Sequence, residues 1–99
     1  MAEWIYFIHP PREDFAATMT AAEEAVWAVH FERFQRAMAD GILVLVGPTL
    51  GHKNTGIAIF EAPDEAAARR FMADAPVIAG GFATGELRPF RVSLLRGRD

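Results

Sequence analysis

Five consecutive apolar residues, Ile42-Leu43-Val44-Leu45-Val46, follow Gly41 and stop at Gly47-Pro48. The run is too short for a helix and rich in branched side chains, so it reads as a strand that offers both faces for burial. The first strand, Glu3 to His9, makes the same demand. Ile5 and Phe7 point one way, and Trp4, Tyr6 and Ile8 the other. A half-solvated antiparallel sheet alternates apolar and polar residues, so a chain with two such strands must cover both sides of its sheet.

One side is covered by helices that the sequence marks clearly. Thr20 followed by Glu23 is a capping box, in which the hydroxyl and the carboxylate satisfy each other's backbone N–H groups. Gly41 supplies the left-handed residue on which a helix can end. Between these marks Trp27, His30, Phe31, Phe34 and Met38 recur at steps of three and four, so they share one stripe. A second helix starts at Pro63, a first-turn proline followed by Asp64 and Glu65 at the positive end of the helix dipole. Ala67, Ala68 and Phe71 then face the sheet, and Arg69 and Arg70 face solvent.

The remaining elements follow in order. His9-Pro10-Pro11-Arg12 stops the first strand, because proline donates nothing to a ladder and restricts its predecessor. Asp14 to Met19 reads as a loop. The polar turn Gly51-His52-Lys53-Asn54-Thr55-Gly56 separates the second strand from a third, Ile57 to Phe60. Ala75 to Gly81 ends the second helix and turns the chain. Leu87 to Leu95 is the last strand, with Pro89 marking an edge or a bulge. The order β-α-β-β-α-β is the ferredoxin-like, split-βαβ arrangement of one α+β domain over residues 1–99: a four-stranded antiparallel sheet with two helices on one face. Two helices leave the other face bare, and its simplest cover is a second copy packing sheet against sheet, a homodimer. The hydrophobic fraction of 52%, high for a globular chain, agrees with that.

Charge and composition exclude several classes. A formal net charge of −3 and no interleaved basic-aromatic stripe give no footprint for nucleic acid. Arg91, Arg96 and Arg98 read as a solubilising tail. The absence of cysteine removes thiol and zinc-thiolate chemistry. Ser93, inside the last strand, is the one serine, which leaves no good nucleophile for a serine triad. The three histidines show no short helical ligand spacing, so neither a metal nor any other cofactor is expected. The apolar N-terminal run is far shorter than a signal or spanning segment, and a cytoplasmic protein without membrane contact is the expectation.

The candidate functional residues include His30, Trp27, Phe34, His9 and Arg12. His30 sits among aromatics, one turn from Trp27 and one from Phe34. It is a core histidine satisfied by a neighbour, a histidine at the wet edge of the stripe, or an acid–base group whose pKa an apolar pocket would tune. Trp27, Phe31 and Phe34 are either pocket walls for a small ligand or ordinary core. His9 shares the face of Ile5 and Phe7 and could line the pocket. Arg12 could hold a carboxylate or phosphate through paired N–H donors, or be a solvated arginine beside a rigid proline turn. His52, in a polar turn, reads as exposed.

The chain resembles the YCII-related (YciI-like) proteins over nearly its whole length. The resemblance rests on His30 and on Asp40-Gly41-Ile42-Leu43 leading to Gly47-Pro48. It rests also on Phe60 to Ala66, on Asp74 with Val77-Ile78-Ala79-Gly80, and on Glu86-Leu87-Arg88-Pro89-Phe90. It implies a dimeric α+β barrel of ferredoxin-like protomers, each with a histidine–aspartate dyad, carried here by His30 and Asp74. Where the family has proline directly after the aspartate, this chain reads Asp74-Ala75-Pro76. The implied chemistry is cofactor-independent acid–base catalysis of the lyase, isomerase or dehydrochlorinase type on a small carbonyl or lactone, with His30 as base and Asp74 as its orienter. The alternative is a non-catalytic ligand-binding or dimerisation module.

Overall fold

A computed structural model describes residues 2–97 of the chain. Strand β1 (Ala2–His9) is central, paired antiparallel on one side with β3 (Gly56–Ala62) and on the other with β4 (Thr84–Phe90). Strand β2 (Leu43–Pro48) pairs antiparallel with β3, giving the order β2-β3-β1-β4. Helix α1 (Phe15–Thr18) is a single turn after β1, α2 (Ala21–Ala39) is the long helix, and α3 (Glu65–Ala73) and the short α4 (Pro76–Ala79) follow β3. With the short turns set aside this is the ferredoxin-like βαββαβ topology.

Helix α2 begins and ends where its sequence marks stand. The Glu23 N–H donates to Thr20 Oγ1 at 3.1 Å, and the Thr20 N–H donates to Glu23 Oε1 at 2.8 Å. At the other end Gly41 takes φ 77°, its N–H donates to Met38 and that of Ile42 to Ala37, the paired bonds of a Schellman stop. Asp64 caps α3 by accepting from the Ala67 N–H at 2.8 Å. The stretch Ala75 to Gly81, expected as a plain turn, forms α4 and repeats the Schellman stop with Gly81 at φ 77°. Val77 of this turn is fully buried. It therefore closes the core between α2 and the sheet rather than merely reversing the chain.

Both helices cover the face bearing Trp4, Tyr6 and Ile8, with Tyr6 and Phe60 completely buried beneath Phe34 and Phe71. Ala68 and Phe71 of α3 turn toward the sheet and Arg69 and Arg70 are exposed, as their spacing predicts. The apolar run in β2 has a local cause. The register with β3 shifts between Leu43 and Leu45, so Leu43 and Val46 sit opposite core-facing Phe60 and Ala58 while Leu45 lies opposite Ile59 on the other face. That other face carries Ile5, Phe7 and Ile57, together with Leu45 and Phe90, which are 51% and 40% exposed.

The last strand departs most from expectation. It runs from Thr84 to Phe90, three residues earlier at its start and five earlier at its end than the apolar pattern predicts. Its limits are set by β1, whose Glu3 to His9 pair with Phe90 to Thr84. Beyond Phe90 the Glu3 carboxylate takes over, accepting from the Val92 N–H at 2.8 Å. Gly85 matters here, since a Cβ there would lie 2.7 Å from Ile78 Cδ1 and 2.9 Å from Met72 Sδ. The loop Asp14 to Met19 contains α1, and β4 is an edge strand that tolerates Pro89. Arg91 and Arg96 are exposed, and Arg98 lies outside the described residues.

Candidate active site

A cavity of about 360 Å³ opens at the end of the sheet where β1 leaves it, between α2 and the β2–β3 hairpin. Its inner wall is Trp27, His30, Phe31 and Phe34 of α2, and its floor is Ile8, Val46 and Gly56. Phe15, Ala16 and Met19 roof it from α1 and the residues around it, and Pro10, Gly47, Pro48 and Asn54 complete the rim. Among the described residues no Asp, Glu, Lys or Arg lines it. The hollow is of the size and apolar character typical of a small-molecule site.

His30 is the titratable group on that wall. It is 3% exposed, and neither Nδ1 nor Nε2 has a hydrogen-bond partner. Phe34 lies edge-on to its ring at 4.3 Å between centroids, Trp27 at 6.4 Å, and Phe15 packs tilted against Trp27 at 4.6 Å. Burial, and then the positive charge of Arg33 one turn away, push the imidazole from its ordinary 6.5 down to about 4. At neutral pH His30 is therefore an uncharged imidazole, with one donor and one acceptor nitrogen, in an apolar box. Arg33 is tethered by a 2.8 Å bond from Nη2 to the Phe71 carbonyl and stacks 4.5 Å over the Phe71 ring.

The roof is a tied strap. Arg12 forks onto Glu23, with Nη1 to Oε2 at 2.9 Å and Nη2 to Oε1 at 2.7 Å, and donates from Nε to Thr18 Oγ1 at 3.1 Å. Its guanidinium also lies 5.1 Å over Phe15. That pairing and the Thr20 N–H hold the Glu23 carboxyl down to about 2. On the hairpin side, Asp14 at φ 53° donates its N–H to the His52 carbonyl at 2.7 Å, its carboxylate meets His52 Nδ1 at 2.7 Å, and the Ala16 N–H donates to Asn54 Oδ1 at 3.0 Å. Strap, helix and hairpin together enclose the imidazole.

The sequence matches the YCII-related domain over residues 4–91. The chain belongs to that family. Among solved structures it is similar to the 5-chloro-2-hydroxyhydroquinone dehydrochlorinase TftG of Burkholderia phenoliruptrix AC1100, in complex with 2,5-dihydroxybenzoquinone. The TM-score is 0.67 at 18% identity, covering 92% of this chain and 94% of that one. At that identity the likeness is one of fold. No curated protein matches the sequence.

In this YCII-related domain the residues singled out by sequence are only partly assembled. His30, Trp27 and Phe34 share the cavity. His9 does not: it projects from the opposite face of β1 and meets Glu86 at 3.2 Å, because strand alternation separates it from Ile8. Arg12 lines, with His9, a separate hollow of about 240 Å³, and Glu23 occupies its fork. Asp74 is the exposed C-cap of α3, and His30 donates no hydrogen bond to it. Helix α2 packs against α4, whose Val77 is buried. Phe15, Met19, Val46 and Asn54 were not anticipated as walls. The polar hairpin hinted at Asn54, but nothing local ties that loop to α1. Among the described residues no cluster of three or more His, Asp or Glu could hold a metal, and no helix is long and apolar enough to cross a membrane.

Proposed function

We propose that this YCII-related protein is a cofactor-independent acid–base enzyme in which His30 moves a proton on a small ring compound bearing a carbonyl or acidic hydroxyl. The observation that carries this reading is His30 itself, a buried imidazole with two unpartnered nitrogens on the wall of a cavity that has no charged lining. Burying an unsatisfied polar group costs on the order of 1–3 kcal/mol, and a ligand that pairs with it returns part of that cost. The neutral imidazole accepts a proton from carbon next to a carbonyl. The electron pair of the broken C–H bond moves into an enolate, and where chloride or an oxygen leaving group lies on the next carbon, that pair forms the new C=C bond while the leaving group departs with the pair of its own bond to carbon. This is the lyase, isomerase or dehydrochlorinase class. TftG, with its dihydroxybenzoquinone, supports a ligand of that size and polarity. In the free protein the proton would be weakly held at about 4, so a ligand that becomes anionic beside the ring must raise that value for transfer to proceed.

Asp74 belongs to this proposal as the orienter of His30 through a shift of the α3–α4 junction that brings its carboxylate inward. The test is turnover of chlorinated hydroxyhydroquinones and unsaturated lactones by the wild type, His30→Gln and Asp74→Asn. Loss of turnover in His30→Gln with the fold intact, and a fall of tenfold or more in Asp74→Asn, are expected. An active His30→Gln variant would refute the role of His30, and an unchanged Asp74→Asn variant would remove Asp74 alone.

A homodimer through the open sheet face completes the proposal, since Ile5, Phe7, Ile57, Leu45 and Phe90 form an apolar surface that no helix covers. A cytoplasmic setting goes with it. The second reading, a ligand carrier without catalysis, is favoured by the enclosure of both ring nitrogens and by the absence of a charged group in the cavity. It expects His30→Gln to weaken ligand binding while no substrate is turned over.

A further inference from the structure

We propose that the ligand of the His30 cavity carries an apolar side chain, and that this chain lies in the seam between α2 and the edge strand β2. The proposal rests on the reading of that cavity as a ligand site and adds the shape and polarity of the ligand. The α2 stripe read from the sequence is not fully buried. His30 and Phe34 face inward, but Phe31 is 56% and Met38 44% exposed. Beside them lies a second hollow of about 260 Å³, lined by Phe31, Phe34, Gln35, Met38 and Val46. Phe31, Phe34 and Val46 also line the His30 cavity, so the two hollows share a wall of three residues and form one trough. Met38 lies eight residues beyond His30 on α2, so the trough runs about 12 Å along the helix axis.

The chemistry of the seam selects its occupant. Its lining offers four apolar side chains and the amide of Gln35, with no charge to hold a carboxylate, phosphate or ammonium. Its occupant is therefore a hydrocarbon chain, attached to the polar ring that reaches His30. The apolar surface proposed for dimerisation does not claim this seam. Ile5, Phe7 and Ile57 lie on the opposite side of the sheet from α2. Phe31 and Met38 thus remain open in such a dimer, continuous with the cavity that contains the unpartnered His30 imidazole.

The experiment is an NMR titration of the full chain with phenol, 4-ethylphenol, 4-butylphenol and 4-hexylphenol, read from the ring protons of His30. Each buried methylene contributes about fourfold in affinity. The expected result is that all four shift His30 and that the dissociation constant falls about fourfold per added methylene from phenol to 4-butylphenol. In Met38→Glu and Met38→Ala the gain with chain length shrinks while phenol itself binds as in the wild type. Equal affinities for the four phenols, or a gain that survives Met38→Glu, overturn the proposal. If no phenol shifts His30, the cavity is not a site for such rings and the proposal falls with it. If the hydrodynamic mass drops in Met38→Glu, the seam is a contact between copies of the chain, and the proposal is again refuted.

Discussion

The depressed pKa of His30 has a direct consequence for stability. In the fold the imidazole titrates at about 4, against 6.5 when unperturbed. Between these values the unfolded chain binds more protons than the native one, so stability rises with pH across that interval. The contribution is complete above 6.5 and is lost as pH falls toward 4, by an amount on the order of 3 kcal/mol. Urea unfolding of wild type and His30→Leu between pH 4 and 7 tests this. The wild type should lose stability steeply below pH 6.5, and the variant should be much flatter there. Glu23 acts in the same direction at lower pH, because its carboxyl is held at about 2 and its pairing with Arg12 is lost only as acid approaches that value. The identity of His30 as a candidate was legible in its spacing. Its lack of a hydrogen-bonding partner was not, since any of several loops could have supplied one.

At the scale of elements, the ends of α2 illustrate local determination. Thr20, Glu23 and Gly41 make the bonds their types and positions imply. Thr20→Ala should cost about 1 kcal/mol, measured by thermal or denaturant unfolding. The strap is different in kind. Arg12 was legible as a cation fit for a carboxylate, but its carboxylate is Glu23 of the same chain, brought near by the turn at Pro10-Pro11 and the left-handed Asp14. Arg12→Met should leave the sheet intact and free α1 locally. Hydrogen exchange would then accelerate at Ala16 and Ala17, with little change at Tyr6 or Ala58, and an even acceleration across the chain would contradict the strap. In β4, Gly85→Val should destabilise by roughly 1–3 kcal/mol, because its side chain would enter the space of Ile78 and Met72. A plain apolar pattern misplaces this strand. Pairing with β1, not hydrophobicity, decides where it begins and ends.

For the whole molecule, the bare sheet face is the outstanding energetic question. Ile5, Phe7 and Ile57 lie together across β1 and β3, flanked by Leu45 on one edge strand and Phe90 on the other. A second copy would remove this surface from water, at about 25 cal/mol for each Å² of apolar area. Sedimentation should therefore give twice the chain mass for the wild type and a single chain mass for Phe7→Glu, with helical signal retained. A wild type that sediments as a monomer at high concentration would refute the interface.

Elements, their order and the face each turns to the core follow from local chemistry: capping residues, proline and glycine punctuation, and the periods of helix and strand. These act within a few residues, so the βαββαβ plan and the apolar setting of His30 are written along the chain. The site itself is made across the chain. Phe15 reaches Trp27, Asn54 reaches Ala16, and Arg12 is taken by Glu23, while Asp74 is left at an exposed helix end and His9 on the far face of the sheet. Each outcome depends on which elements pack together and in what register. One residue of strand alternation or one turn of helix moves a side chain to another surface, and no short-range rule fixes that choice.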